Sequence, residues 1–167
     1  MKLALVALFF AGSALAQGPS ALPTAACGPE NVSFNVKLGA PNSLVLPDPG
    51  KALIYFIHDS GSWGTIGYPT TKLGIDGTWV GADHSDSYFF VFVDPGEHHL
   101  CATLQSSLVD QRVELVHLNA KAGKVYFYRT RLLLSRTIEL LQLEPIDSDQ
   151  GWYLIASYPL SISKPKK

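Results

Sequence analysis

Charge of either sign is scarce in this chain. Only 16% of its 167 residues are Asp, Glu, Lys or Arg, and 13 basic residues against 14 acidic ones leave a net charge of −1. Binding to a phosphate backbone draws on a concentrated excess of Lys and Arg, so nucleic acid is excluded as the expected partner. Cysteine is scarcer still, at two residues, and neither stands in the C-x-x-C spacing of a redox pair. The apolar stretch from Leu3 to Ala16 falls short of the roughly 20 residues that a helix needs to cross about 30 Å of hydrocarbon. What the chain does have is core material, 47% hydrophobic and 11% aromatic residues. That excludes disorder for the bulk, and the length suits one domain.

The first segment reads as an address. Lys2 supplies a positive charge, Leu3 to Ala11 is a short apolar run, and Ala14-x-Ala16 is a small-residue cleavage site. Residues 1–16 are therefore a predicted signal peptide, and export follows. Cys27 follows Ala25-Ala26, as a lipidated cysteine would, but Pro19 and Pro23 and the whole stretch from Gln17 separate it from the apolar run. A lipid anchor is disfavoured. Residues 17–29, rich in Pro, Ala and Ser, read as a flexible leader. In an oxidising compartment Cys27 and Cys101 are expected to form one disulfide, worth about 4 kcal/mol in the chain-entropy model for a loop of this size.

Beyond the leader the pattern is that of strands. Val32, Phe34, Val36 and Leu38 alternate with polar residues, which marks a strand with one wet face. Ala52 to Ile57 and Ser87 to Val93 are apolar on both faces; the first is placed mid-sheet. Asp76-Gly77 between Lys72–Ile75 and Thr78–Val80 predicts a tight hairpin, because both central residues need positive φ. His98 to Leu104 should point Leu100, Ala102 and Leu104 inward, and Arg112–Leu118, Gly123–Leu133 and Thr137–Leu143 supply three more strands. Asp147, with Gln150 three residues on, can cap a short helix through Tyr158. These elements predict an all-β fold over residues 30–160, a two-sheet antiparallel β-sandwich of Ig-like, Greek-key type with a short C-terminal helix. Residues 161–167 read as a flexible basic tail.

The string Gly74-Ile75-Asp76-Gly77-Thr78-Trp79-Val80-Gly81-Ala82, then Ser87-Tyr88-Phe89-Phe90, Asp94-Pro95-Gly96-Glu97-His98-His99-Leu100-Cys101 and Ala122-Gly123-Lys124-Val125-Tyr126-Phe127-Tyr128-Arg129, resembles the bacterial domain of unknown function 2846 family. The resemblance covers about residues 50–145. It implies an exported or lipid-anchored bacterial β-sandwich, carries no assigned activity and transfers no catalytic residue.

Reactive constellations are missing or incomplete. Ser60-Gly61-Ser62-Trp63-Gly64 lacks the first glycine of a nucleophile elbow, and no Gly-Lys-Ser/Thr phosphate loop occurs. His58-Asp59-Ser60 places triad residue types side by side, where extended neighbours point apart. His98 and His99 face opposite sides of their strand and cannot share a metal without a bulge. His58, Asp83, His84 and Asp86 are the candidates for a metal or hydrolytic cluster, His117 being further off. Asn31-Val32-Ser33 fits a glycosylation sequon by rule, but it falls in a strand. Aromatics on the segment from Asp59 to Thr71 and on the hairpin, Trp63, Tyr68 and Trp79, are the candidates for recognition, since such rings bring large contact area. The expectation is a non-catalytic exported protein without cofactor, whose partner is an unidentified protein or envelope component. The rival is a secreted metal-dependent or hydrolytic enzyme.

Overall fold

The computed structural model describes residues 27–40, 45–60, 70–105, 113–134 and 139–167. The expected signal peptide and most of the leader lie outside them. Ten strands and one helix follow in order: β1 (Phe34–Leu38), β2 (Ala52–His58), β3 (Thr70–Ile75), β4 (Thr78–His84), β5 (Ser87–Val93), β6 (Gly96–Leu104), β7 (Val113–Ala120), β8 (Val125–Leu134), β9 (Glu139–Ile146), α1 (Ser148–Ser157) and β10 (Ser161–Pro165). They form two four-stranded sheets, β5-β2-β8-β9 and β4-β3-β6-β7, and a ribbon of β1 and β10. The fold is an all-β sandwich. No helix among the described residues is long and apolar enough to cross a membrane.

Period-two alternation decides which residues seal the two layers. Ala52, Ile54 and Phe56 of β2 face Leu73, Ile75, Leu100 and Ala102 of the opposite sheet, joined by Phe89, Tyr128, Leu141 and Leu143. The other face of β2, with Leu53, Tyr55 and Ile57, packs on Phe127 and on Leu154 and Ile155 of α1. That is why β2 reads as apolar throughout: it lies mid-sheet with both faces covered. The Tyr55 ring stacks on Phe127 at 5.5 Å, and Trp152 meets Phe127 edge-on at 4.8 Å. Gly151 permits this, because a Cβ there would collide with the Phe127 ring. The helix is capped as the sequence predicts, Asp147 Oδ1 accepting from the Gln150 amide at 2.9 Å. The Asp76-Gly77 turn takes φ of 50° and 81°, the positive pair that this hairpin needs.

Two expectations are corrected. β2 and β8 run parallel, so the sheet departs at its centre from the antiparallel, Ig-like arrangement; a strand covered on both faces tolerates a parallel neighbour, since little of the pairing meets water. Within the segment expected to fray, residues 161–167, Ser161–Pro165 form β10, paired antiparallel with β1 from Leu38↔Ser161 to Phe34↔Pro165. Its serines face the sheet, Ser161 buried and Ser163 half-buried. Ser161 Oγ and Ser163 Oγ accept from the His84 and Ala82 amides of β4 at 3.3 and 3.2 Å, which ties the ribbon to the sandwich and carries the domain through Pro165.

Candidate functional site

Of the polar residues singled out in the sequence, His58, Asp59, Ser60, Asp83, His84 and Asp86 lie at one end of the sandwich, and alternation explains how. His58 continues the inward row of Ala52, Ile54 and Phe56, so it enters the core at its end. Thr71 and Asp83 are directly paired across β3 and β4 and point the same way. His58 Nδ1 lies 3.3 Å from Asp83 Oδ1 and 3.3 Å from Thr71 Oγ1, and all three residues have no measurable exposure. Burial pushes the Asp83 carboxyl above its ordinary range, against the opposing pull of the His58 hydrogen bond and of the His58 and His84 charges. Among the described residues, His58 Nε2 and Asp83 Oδ2 have no hydrogen-bond partner.

One residue further along, the chain turns to the other face. Asp59 continues the outward row of Leu53, Tyr55 and Ile57, and meets Arg129 and Arg131 from β8. Arg131 Nη2 donates to Asp59 Oδ2 at 2.8 Å, Tyr158 donates its hydroxyl to Asp59 Oδ1 at 3.0 Å, and Arg129 Nη1 lies 3.5 Å from Asp59 Oδ2. Arg129 also binds Glu144 of β9, to which Gln142 donates at 3.2 Å. Asp59 and Arg129 are buried. Burial, then the Asp59 charge and hydrogen bond, push the Tyr158 hydroxyl far above its ordinary pKa. This network of two arginines, two carboxylates and a tyrosine was not foreseen in the sequence. Its signal was Arg129-x-Arg131 on one face of an otherwise apolar strand, with Glu144 opposite Arg129 in the β8–β9 register.

Of the four metal or hydrolytic candidates, the structure unites two. Asp83 and His84 are strand neighbours and point apart: His84 Nδ1 pairs with Thr70 Oγ1 at 3.1 Å. Asp86, in the turn after β4, accepts from the Ser60 amide and hydroxyl at 3.1 and 2.6 Å. Among the described residues no group of three or more His, Cys, Asp or Glu is placed to hold a metal ion. Ser60 is thus bound to Asp86, and the Thr71 hydroxyl that meets His58 shares Nδ1 with Asp83. An Asp–His pair with its outer nitrogen buried can hold a proton, but it presents no nucleophile to solvent. His98 and His99 separate as the strand requires. His98 binds Asp76 at 2.6 Å and the Asp94 carbonyl at 2.8 Å, while the His99 ring lies 5.3 Å from that of His117.

The recognition candidates divide as well. Trp63 and Tyr68 lie outside the described residues. Trp79 is half-buried at the far end of β4, about 17 Å along the strand from His84, and it is already engaged. Its Nε1 donates to the Pro29 carbonyl at 2.8 Å, its ring covers Gly28, and Lys72 Nζ stands 4.4 Å over it. Beside it Cys27 and Cys101 form the expected disulfide, so the end of the predicted flexible leader, Cys27 to Pro29, is docked on the sheet. Lys72 also donates to the Val32 carbonyl at 2.9 Å, and burial lowers its pKa against the opposing charge of Glu30. The Trp79 ring clamps this segment, which corrects its reading as an open recognition surface.

No family model matches the chain, and neither a curated protein nor a solved structure matches it.

Proposed function

We propose that the protein is an exported, non-catalytic β-sandwich that acts by binding an envelope component, and that it belongs with the domain of unknown function 2846 family on the strength of its turn and strand motifs. The observation that carries the reading is the state of the groups best suited to chemistry. His58 and Asp83 are turned toward each other on one face of the sheet, Asp59, Arg129 and Tyr158 toward one another on the other, and both groups are largely out of water, as structural networks are. The Cys27–Cys101 disulfide supports an oxidising compartment.

Expression of the full chain in a bacterium tests this reading. The expected result is a product beginning at Gln17, with its disulfide closed, that sediments with envelope membranes and carries no stoichiometric metal. An unprocessed chain with free thiols in the cytosol overturns it. His58 Nε2 and Asp83 Oδ2, without a hydrogen-bond partner among the described residues, favour one rival, a secreted metal-dependent or hydrolytic enzyme, and tightly held stoichiometric metal in the purified protein decides for that.

A further inference from the structure

The ribbon of β1 and β10 has an inner face committed to the sandwich and an outer face committed to nothing. Phe34 and Ser161 are buried, whereas Asn35, Lys37, Ile162 and Lys164 are exposed. Register sets Asn35 opposite Lys164 and Lys37 opposite Ile162, so these four side chains share one face, with the two lysines on its diagonal. With Lys167 they line an open hollow of about 700 Å³, with no Asp or Glu among the described residues that border it. None of the three lysines forms an ion pair among the described residues, whereas Lys51 is bound to Asp94 at 2.7 Å and Arg129 and Arg131 are neutralised at the other site. In a chain of net charge −1, this is a local excess of one sign around a concavity.

We infer that this hollow is a docking groove for an extended acidic peptide segment of a partner protein. The charge excess calls for an anionic occupant, and the geometry selects the form. Diagonal cross-strand neighbours lie roughly 7–8 Å apart, and side chains at i and i+2 of an extended peptide repeat at about 6.7 Å. Carboxylates on alternate residues therefore match Lys37 and Lys164, and Ile162, 47% exposed, offers an apolar contact between them. A flat bilayer surface does not enter a hollow. The inference gives a partner class to the binding function proposed above and rests on that reading.

The test is titration of the disulfide-intact protein with a peptide of about ten residues alternating Asp with Thr, against an isomer with its Asp residues blocked at one end. The alternating peptide is expected to bind more tightly, with an affinity that falls as salt rises. The double variant Lys37→Gln, Lys164→Gln is expected to weaken it about tenfold. The control Lys121→Gln, Lys124→Gln removes the same charge from the exposed turn before β8 and is expected to leave binding within about twofold. Melting curves of both variants establish that each is folded. The proposal is overturned by equal affinity for the two peptides, by equal loss in the two variants, or by no binding at millimolar peptide. It is also overturned if anionic phospholipid vesicles or oligothymidylate bind while the alternating peptide does not. Each of those results leaves export and envelope sedimentation, measured separately, free to stand or fall on their own.

Discussion

Arginine and lysine meet opposite fates at the two polar regions of this molecule. Arg129 and Arg131, at the end of the sandwich, are held by Asp59 and Glu144, with Tyr158 closing the group. Lys37 and Lys164, on the ribbon, form no ion pair among the described residues and are exposed. Burial accounts for the contrast. A charge withdrawn from water is tolerated only when paired and hydrogen-bonded, so folding itself selects partners for the arginines and demands none for the lysines. Cations that the fold does not need are left facing solvent.

The largest effect expected is on the buried side of this comparison. Arg129→Met leaves Glu144 and part of Asp59 without their cation and is expected to lower unfolding free energy in urea by about 3 kcal/mol. A loss below about 1 kcal/mol would rank the network with ordinary surface pairs and remove the contrast. Next comes Gly151→Ala, which asks whether α1 must lie close for Tyr158, just past its end, to reach Asp59. Alanine gains about 1 kcal/mol of helix propensity over glycine, but its methyl meets the Phe127 ring. Overpacking of that kind costs roughly 1–3 kcal/mol, so net destabilisation is expected; a rise in melting temperature would show the helix free to move.

A smaller effect separates the buried pair from its surroundings by pH. Asp83, faced by His58 from β2 and flanked by His84 on its own strand, has a carboxyl pKa raised in the folded state, first by burial. The folded protein therefore holds that proton more tightly than the unfolded chain does. Stability is lost as pH rises from the unfolded value of about 4 through the raised folded one. Asp83→Asn escapes this loss, so its melting temperature relative to the wild type should climb across that window and level off above it. A gap that stays constant from pH 4 upward contradicts the assignment. The smallest effect belongs to the ribbon, where Lys37→Gln with Lys164→Gln should change stability by no more than about 0.5 kcal/mol. A larger change in denaturant midpoint would mean that the fold uses those charges after all.

What the sequence revealed of this architecture was what neighbours in the chain decide. The Asp76-Gly77 hairpin follows from two adjacent backbone angles, the Asp147 cap from a donor three residues on, and the central place of β2 from an unbroken apolar run. The disulfide followed from cysteine count and compartment. What escaped depended on partners far along the chain. The parallel match of β2 with β8 leaves no local mark. The serines of β10 looked like a solvated tail because the β4 amides they accept from lie remote in sequence. The site was legible in part: His58 and Asp83 were named and do meet, but naming His84 beside Asp83 ignored the alternation that sends neighbours to opposite faces. The arginine network escaped for the same reason: Asp59, which meets both Arg129 and Arg131, lies far from them in the chain.

The ribbon draws one strand from near the start of the described chain and the other from its finish. While the polypeptide emerges, β1 must wait through the delivery of both sheets and the helix before its mate arrives. Closure of that zipper is therefore a late event of maturation. A surface carried by the closed ribbon therefore exists only once β10 has been made and has paired with β1.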